Sequence, residues 1–167
     1  LGASGGRFKD LYLSGNVKVD AGQGIFFGGA AGASGMTSQV LDDYEEGTAT
    51  LTLASTGTSP TIAQGNTFTI AYTKIGNLVR FVGYTSARNI TNAGTGLAKI
   101  TGLPFAQASA YYGQVSFTHN TIFTDTVTGY IEAGDTHFYP IIMNTLSTAS
   151  YPTGTKYLMV QGFYHTA

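Results

Sequence analysis

The 167-residue chain has no cysteine, no tryptophan, only four prolines and little charge, with eight Lys and Arg against nine Asp and Glu. Without cysteine there is neither a disulfide framework nor a thiolate metal site. Charged residues make up 10 % of the chain, against roughly 25 % in an ordinary soluble domain. The basic residues stand singly and the net charge is −1. No cationic patch exists to neutralise phosphates, so nucleic acid is not an expected partner. No apolar run approaches the ~18 residues of a membrane-spanning helix, so no membrane insertion is expected. The Glu/Lys/Ala/Leu windows that make helices are missing too. The start at Leu1, with no signal-like segment, leads us to expect the end part of a longer polypeptide.

Glycine, threonine and the strand-forming residues Tyr, Phe and Val fill the composition instead, with 23 Gly, 11 Tyr and 10 Phe. An all-β fold is expected. Four of the nine acidic residues, Asp42, Asp43, Glu45 and Glu46, crowd into one stretch. Such a cluster is costly to bury unpaired, which puts it at a surface or junction. It divides the chain into a stem over residues 1–40, an acidic hinge over 41–47 and a head over 48–167.

The stem reads as short extended pieces broken by glycine turns, since glycine supplies the positive φ of tight reversals. Leu11 and Leu13 share one face by parity, as do Val17 and Val19. A segment this short buries no core alone and leaves strand edges unpaired. Assembly with copies of itself is the economical solution, with Leu11, Val17, Val19, Ile25 and Phe26 meeting at an axis. Residues 29–35 read as a loop or chain crossover, and Met36 to Leu41 as a short ordered piece, one turn of helix.

The head alternates more regularly. Thr48 to Leu53 puts Leu51 and Leu53 inward. Thr67 to Thr73 and Leu78 to Tyr84 flank Gly76-Asn77, the sharpest hairpin signal. The returning strand is apolar on both faces except at Arg80, which suggests a central position. Further strands are expected at 97–101, 110–119, 136–143 and 157–164, with Pro140 marking an edge or bulge. Strands at this spacing predict an antiparallel β-sandwich or a jelly-roll-like barrel as the head.

Gly6 to Gly15, Leu41 to Thr48, Tyr72 to Asn77, Ile100 to Phe105 and Val160 to Tyr164 run in order from one end of the chain to the other. As an ordered set they resemble the tail-fibre and head-fibre proteins of tailed bacteriophages. In that family a Trp and a Pro usually follow the Gly-Thr of the hinge, whereas Ala49-Thr50 stand here, so the first head strand seats differently. The resemblance implies a homotrimer with a thin β-structured stem, displayed on the virion and attached to other tail or capsid proteins. Its head would engage a bacterial surface glycan or protein. No catalytic residue is carried over, and no enzyme activity is expected.

The chemistry-bearing residues are few. His119, His137 and His165 form no His-x-His pair; neither a metal nor any other cofactor is expected, and His119 reads as the end of a core strand. Glu132 and Asp135 bracket Gly134 and are close enough to converge, as the two carboxyls of glycoside cleavage must, but such residues more often solvate a turn. No Gly-x-Ser-x-Gly nucleophile elbow occurs, and Gly22-x-Gly24 opens no nucleotide-binding helix. Sugar binding uses aromatic faces, amides and hydroxyls on loops held by a rigid scaffold. Tyr84, Arg88, Asn89, Tyr112, Asn120, Tyr130 and Tyr151 are the residues placed for it, although a tyrosine is as readily a half-buried strand residue. A receptor-binding fibre head therefore ranks first. A capsid-attached fibre or decoration protein is the alternative, and a polysaccharide depolymerase comes third.

Overall fold

The computed structural model describes residues 10–20, 22–27, 32, 34, 36, 38–125, 127–143 and 148–166. Residues 6–9 of the first motif, and most of the stretch 29–35, lie outside the described residues. The chain divides into two compact units, Leu1–Asp42 and Asp43–Ala167. The boundary falls inside the acidic stretch, and residues 44–47 of the expected hinge belong to a strand of the second unit.

In the first unit, β1 (Ile25–Phe26) pairs antiparallel with β2 (Val40–Leu41), matching Ile25 with Leu41 and Phe26 with Val40. The helical turn expected over Met36 to Leu41 is therefore not formed at its end. Val40 and Leu41 extend because they complete a ladder that Phe27 N continues onto Gln39 O at 2.9 Å. The apolar side chains of this unit remain exposed: Leu11 67 %, Val17 58 %, Val19 48 %, Ile25 51 % and Phe26 68 %.

The second unit begins with β3 (Tyr44–Ser55), followed by β4 (Thr61–Ile62), β5 (Thr67–Ile75), β6 (Leu78–Tyr84) and β7 (Arg88–Asn92). Then come β8 (Ala98–Thr101), β9 (Gly113–Thr118), β10 (Val127–Ile131), β11 (His137–Ile142), β12 (Gly154–Lys156) and β13 (Met159–His165). Eight of these close into an antiparallel barrel in the order β10-β11-β8-β3-β5-β6-β13-β9. Closure comes from β9 and β10, which pair from Gly113↔Ile131 to Ser116↔Thr128. The unit is all-β as the composition demands; the barrel alternative is met by one sheet closed on itself, and the sandwich of two facing sheets is not formed. Closure removes the edge strands that an open sheet must protect.

Alternation works as read. Leu51, Leu53, Phe68, Ile70, Val79 and Phe81 point inward and are buried, while the threonines of β3 and β5 face out. The β5–β6 hairpin turns on Gly76-Asn77 with Ile75 opposite Leu78, and the positive φ is confined to Gly76 (57°). That is the type II′ pattern, with glycine at the first central position. At the barrel centre the Phe81 ring lies 5.9 Å from Phe138 and 6.3 Å from Tyr164. An eight-stranded barrel has room for such rings only if facing positions are small. Gly162 provides this: a methyl there would stand 2.6 Å from the Phe81 ring.

Pro140 sits in β11 opposite Gly129. On its other side β8 pairs only as far as Phe138, and Ala149 N donates to Pro140 O at 2.9 Å. No bulge forms, since the ladder to β10 keeps its register through Pro140; the expected edge is on the other side, where β8 has ended and a returning segment takes its place. A small sheet, β12-β7-β4, adds a layer beside the barrel, and its Ile62 and Ile90 join the core.

Three of the four acidic residues of the stretch are paired within their own chain. Asp43 forms an ion pair with Lys74, a buried lysine that also lies 5.5 Å from the Phe105 ring. Tyr72 donates its phenol proton to Glu45, and Tyr44 donates to Glu46 at 2.6 Å. These bonds, the leading cause in each case, hold both phenols above their ordinary pKa.

Candidate functional site

The seven residues placed for glycan binding separate into three groups. Tyr151 is a core residue, only 4 % exposed, packed 5.6 Å from Phe123. Its hydroxyl donates to Ala54 O (3.0 Å) or Lys99 O (3.3 Å). It cannot meet a ligand from this position. The Arg88 guanidinium is also taken up: Nε donates to Thr85 O at 2.8 Å, Nη1 to Gln64 O at 3.0 Å and Nη2 to Thr67 O at 2.9 Å. It fastens the side sheet to the β4–β5 loop. Asn89 lies next to it on β7, opposite Thr155, and its backbone N donates to Gln64 Oε1 at 2.8 Å. Sequence position placed these residues near a loop, but the carbonyls that occupy them come from elsewhere in the chain.

Burial carries a testable consequence at Tyr151. Desolvation pushes its phenol well above the usual value of 10.0, against two backbone hydrogen bonds that lower it. Tyr164 is raised as well, chiefly by burial. A group whose folded pKa lies above its unfolded value contributes stability that is complete below the unfolded pKa and is lost as pH rises towards the folded one. The barrel is therefore expected to hold its urea midpoint to about pH 9 and to lose it steadily above about pH 10. Tyr151→Phe removes one ionisable group: the variant is expected to be about 1 kcal/mol less stable at pH 8 and to fall less between pH 9 and 11. Parallel curves for the two proteins over that range would show that Tyr151 is not responsible.

Tyr84 and Asn120 come together at the end of the barrel opposite the start of β3. The rings of Tyr84, His119 and Tyr157 stack nearly parallel, with centroids 6.1 Å apart at 18° and 5.0 Å apart at 13°. His119 itself has a positive φ of 46°, a conformation that costs a non-glycine residue energy and recurs at ligand sites. Two backbone-linked contacts hold the stack: Thr121 N donates to Tyr157 O at 3.0 Å, and Tyr157 N donates to Thr121 Oγ1 at 2.8 Å. Beside the stack opens a cleft of about 550 Å³, lined by Thr118, His119, Asn120, Thr124 and Asp125 over Phe117, Phe123 and Val127. Asn120 shapes its wall, with Oδ1 accepting from Phe123 N and Nδ2 donating to Asp125 O, both at 3.3 Å. Asp125 accepts from Thr124 Oγ1 at 2.9 Å. Exposed ring faces beside an amide, a carboxylate and hydroxyls are what a polyol or sugar requires. His119 and Tyr157 were not among the residues placed for binding. Reading His119 as a strand end hid them; its place immediately before Asn120 was the available signal.

Tyr112 and Tyr130 meet at the other end of the same strands, with ring centroids 5.8 Å apart, and Tyr139 extends the row at 5.6 Å from Tyr130. The β10–β11 turn brings Glu132 and Asp135 together, as their spacing allowed, but it places His137 between them. Its Nε2 lies 3.0 Å from Glu132 Oε2 and its Nδ1 3.0 Å from Asp135 Oδ1. These three residues form the one His/Asp/Glu group among the described residues compact enough for a metal. Each ring nitrogen faces a different carboxylate, so the imidazole occupies the space between them. Burial first, then the Glu132 charge, raises the Tyr130 and Tyr139 phenols above their ordinary pKa.

Comparison with protein-family models, curated proteins and solved structures found no match to this chain.

Proposed function

We propose that the chain is the C-terminal part of a homotrimeric virion fibre protein of a tailed bacteriophage, carried on the tail or capsid. In this reading the Asp43–Ala167 barrel is a head that attaches to a bacterial surface glycan, and the Leu1–Asp42 unit is a stem. One observation carries it: the two units treat their apolar residues oppositely. The barrel has a buried core of its own, from Leu51 to Tyr164, whereas among the described residues the first unit buries no apolar side chain and exposes Leu11, Val17, Val19, Ile25 and Phe26. Exposed apolar residues at that density mark an association surface. Such a unit is stable when sister copies cover it, and a stalk of several chains carrying several heads is a fibre. Attachment then gains from multivalency, since each site can be weak while the assembly binds tightly.

The stack and cleft at the far end of β6, β9 and β13 supply the attachment site. An array of bacterial surface polysaccharides is expected to return at least one ligand for the full chain. Tyr84→Ala removes an outer ring of the stack and is expected to weaken that binding about tenfold per site, the equivalent of roughly 1.4 kcal/mol. Unchanged binding by both Tyr84→Ala and His119→Ala would remove the cleft as the attachment site.

A further inference from the structure

β6 is apolar on both faces, and the barrel interior covers only one. Val79 and Phe81 point inward and are buried, whereas Leu78, Val82 and Tyr84 remain 40 %, 46 % and 44 % exposed. The adjoining strand β13 repeats the pattern, with Met159 44 % and Phe163 51 % exposed. Register places Arg80 opposite Phe163, Val82 opposite Gln161 and Tyr84 opposite Met159, so these side chains form one continuous patch. A solvated face of an antiparallel sheet is ordinarily polar, and the outward residues of β3 follow that rule with Thr48, Thr50 and Thr52. The patch therefore departs from the rest of the barrel.

Its centre is a cation without a partner. Among the described residues the Arg80 guanidinium makes no hydrogen bond or ion pair. It borders a cleft of about 160 Å³ together with Gln114, Ser116, Gln161 and Phe163. A guanidinium flanked by two amides and a hydroxyl presents donors on several sides, which is a receptor for a carboxylate. The chain supplies a carboxylate in the same outward row: Glu46 pairs with Thr73 across β3–β5, and Thr73 pairs with Arg80 across β5–β6. The two groups are two strands apart and so do not pair within one chain. Glu46 is exposed and held by Tyr44 from one side only.

We propose that the outer face of β5, β6 and β13 around Arg80, Val82 and Phe163, short of Tyr84 and the attachment cleft, is an interface between copies of this chain, with Arg80 of one copy receiving Glu46 of the next. The patch is apolar around a single charge, and its complement lies on the same molecule, displaced sideways, as a head-to-tail ring of copies requires. This inference rests on the homotrimer reading and extends the contact from the first unit to the barrel.

The absence of cysteine makes the test clean, since Val82→Cys or the control Thr155→Cys on β12 introduces the only thiol. In the full-length assembly, Val82→Cys is expected to react with a maleimide at least tenfold more slowly than Thr155→Cys. Arg80→Glu should bring the two rates together, and adding Glu46→Arg to Arg80→Glu should restore the protection. If light scattering shows an intact oligomer in which Val82→Cys reacts as fast as the control, the barrel interface is wrong and the homotrimer reading stands. A monomer at micromolar concentration overturns both. Failure of Glu46→Arg to rescue Arg80→Glu overturns the pairing.

Discussion

Replacing Val17 and Val19 together by aspartate is expected to reduce the particle from three chains to one in light scattering at micromolar concentration. Both valines are about half exposed in the single chain, and their spacing would put them on one face of an extended segment. In a three-fold assembly the substitutions would place six carboxylates where six valines had been covered. A buried unpaired carboxylate costs several kcal/mol, and like charges about one axis repel. The barrel interface is not expected to compensate, because it offers four half-exposed apolar side chains, Leu78, Val82, Met159 and Phe163, where a standard interface uses roughly 20 residues a side. The barrel has its own core, so the far-ultraviolet strand signal and the urea midpoint should be unchanged. An intact oligomer after both substitutions would mean that the first unit does not hold the copies together.

Much of the barrel was legible because its signals are local. Alternation from Leu51 to Leu53 and from Phe68 to Tyr72 places strands without reference to anything distant, and Gly76-Asn77 fixes the register of β5 against β6. Four elements escaped that reading. β4, β7 and β12 pair with one another rather than with the barrel, and β7 shows no strand alternation because Arg88, Asn89, Thr91 and Asn92 mask the single buried Ile90. β10 carries the clearest missed pattern, with Val127, Gly129 and Ile131 inward. Its central inward residue is glycine, which reads as a turn, yet it is small because Phe117 fills the space beside it. Closure was not legible either. Nothing in β9 or β10 alone says that they meet, since pairing between the ends of a sheet depends on the curvature of all eight strands. The candidate site divides the same way: Tyr84 and Asn120 were found by residue type, while Tyr151 and Arg88 were misplaced because their partners, Ala54, Lys99, Gln64 and Thr67, are distant in sequence.

Phe81→Ala is expected to destabilise the barrel by about 3–5 kcal/mol, the cost of deleting a fully buried ring whose surroundings cannot collapse. Phe81 is 1 % exposed and sits on a central strand between β5 and β13, with Phe138 and Tyr164 around it. Against a total stability of roughly 5–15 kcal/mol, that loss would move the urea midpoint far enough to leave the variant partly unfolded at 37 °C. Thr69→Ala, outward on the neighbouring strand, is expected to change stability by less than about 0.5 kcal/mol. The reciprocal substitution tests the size argument for the barrel interior. Gly162→Ala should destabilise the wild type, because its methyl would stand 2.6 Å from the Phe81 ring and 2.7 Å from Gln114 O. In the Phe81→Ala background the ring is gone and only the carbonyl contact remains, so the same methyl should cost less. The two substitutions are thus expected to be non-additive, with a coupling in the 0.5–3 kcal/mol range typical of touching residues. Strict additivity would show that Gly162 is not small on account of Phe81, and the explanation of how eight strands close over these rings would fail with it.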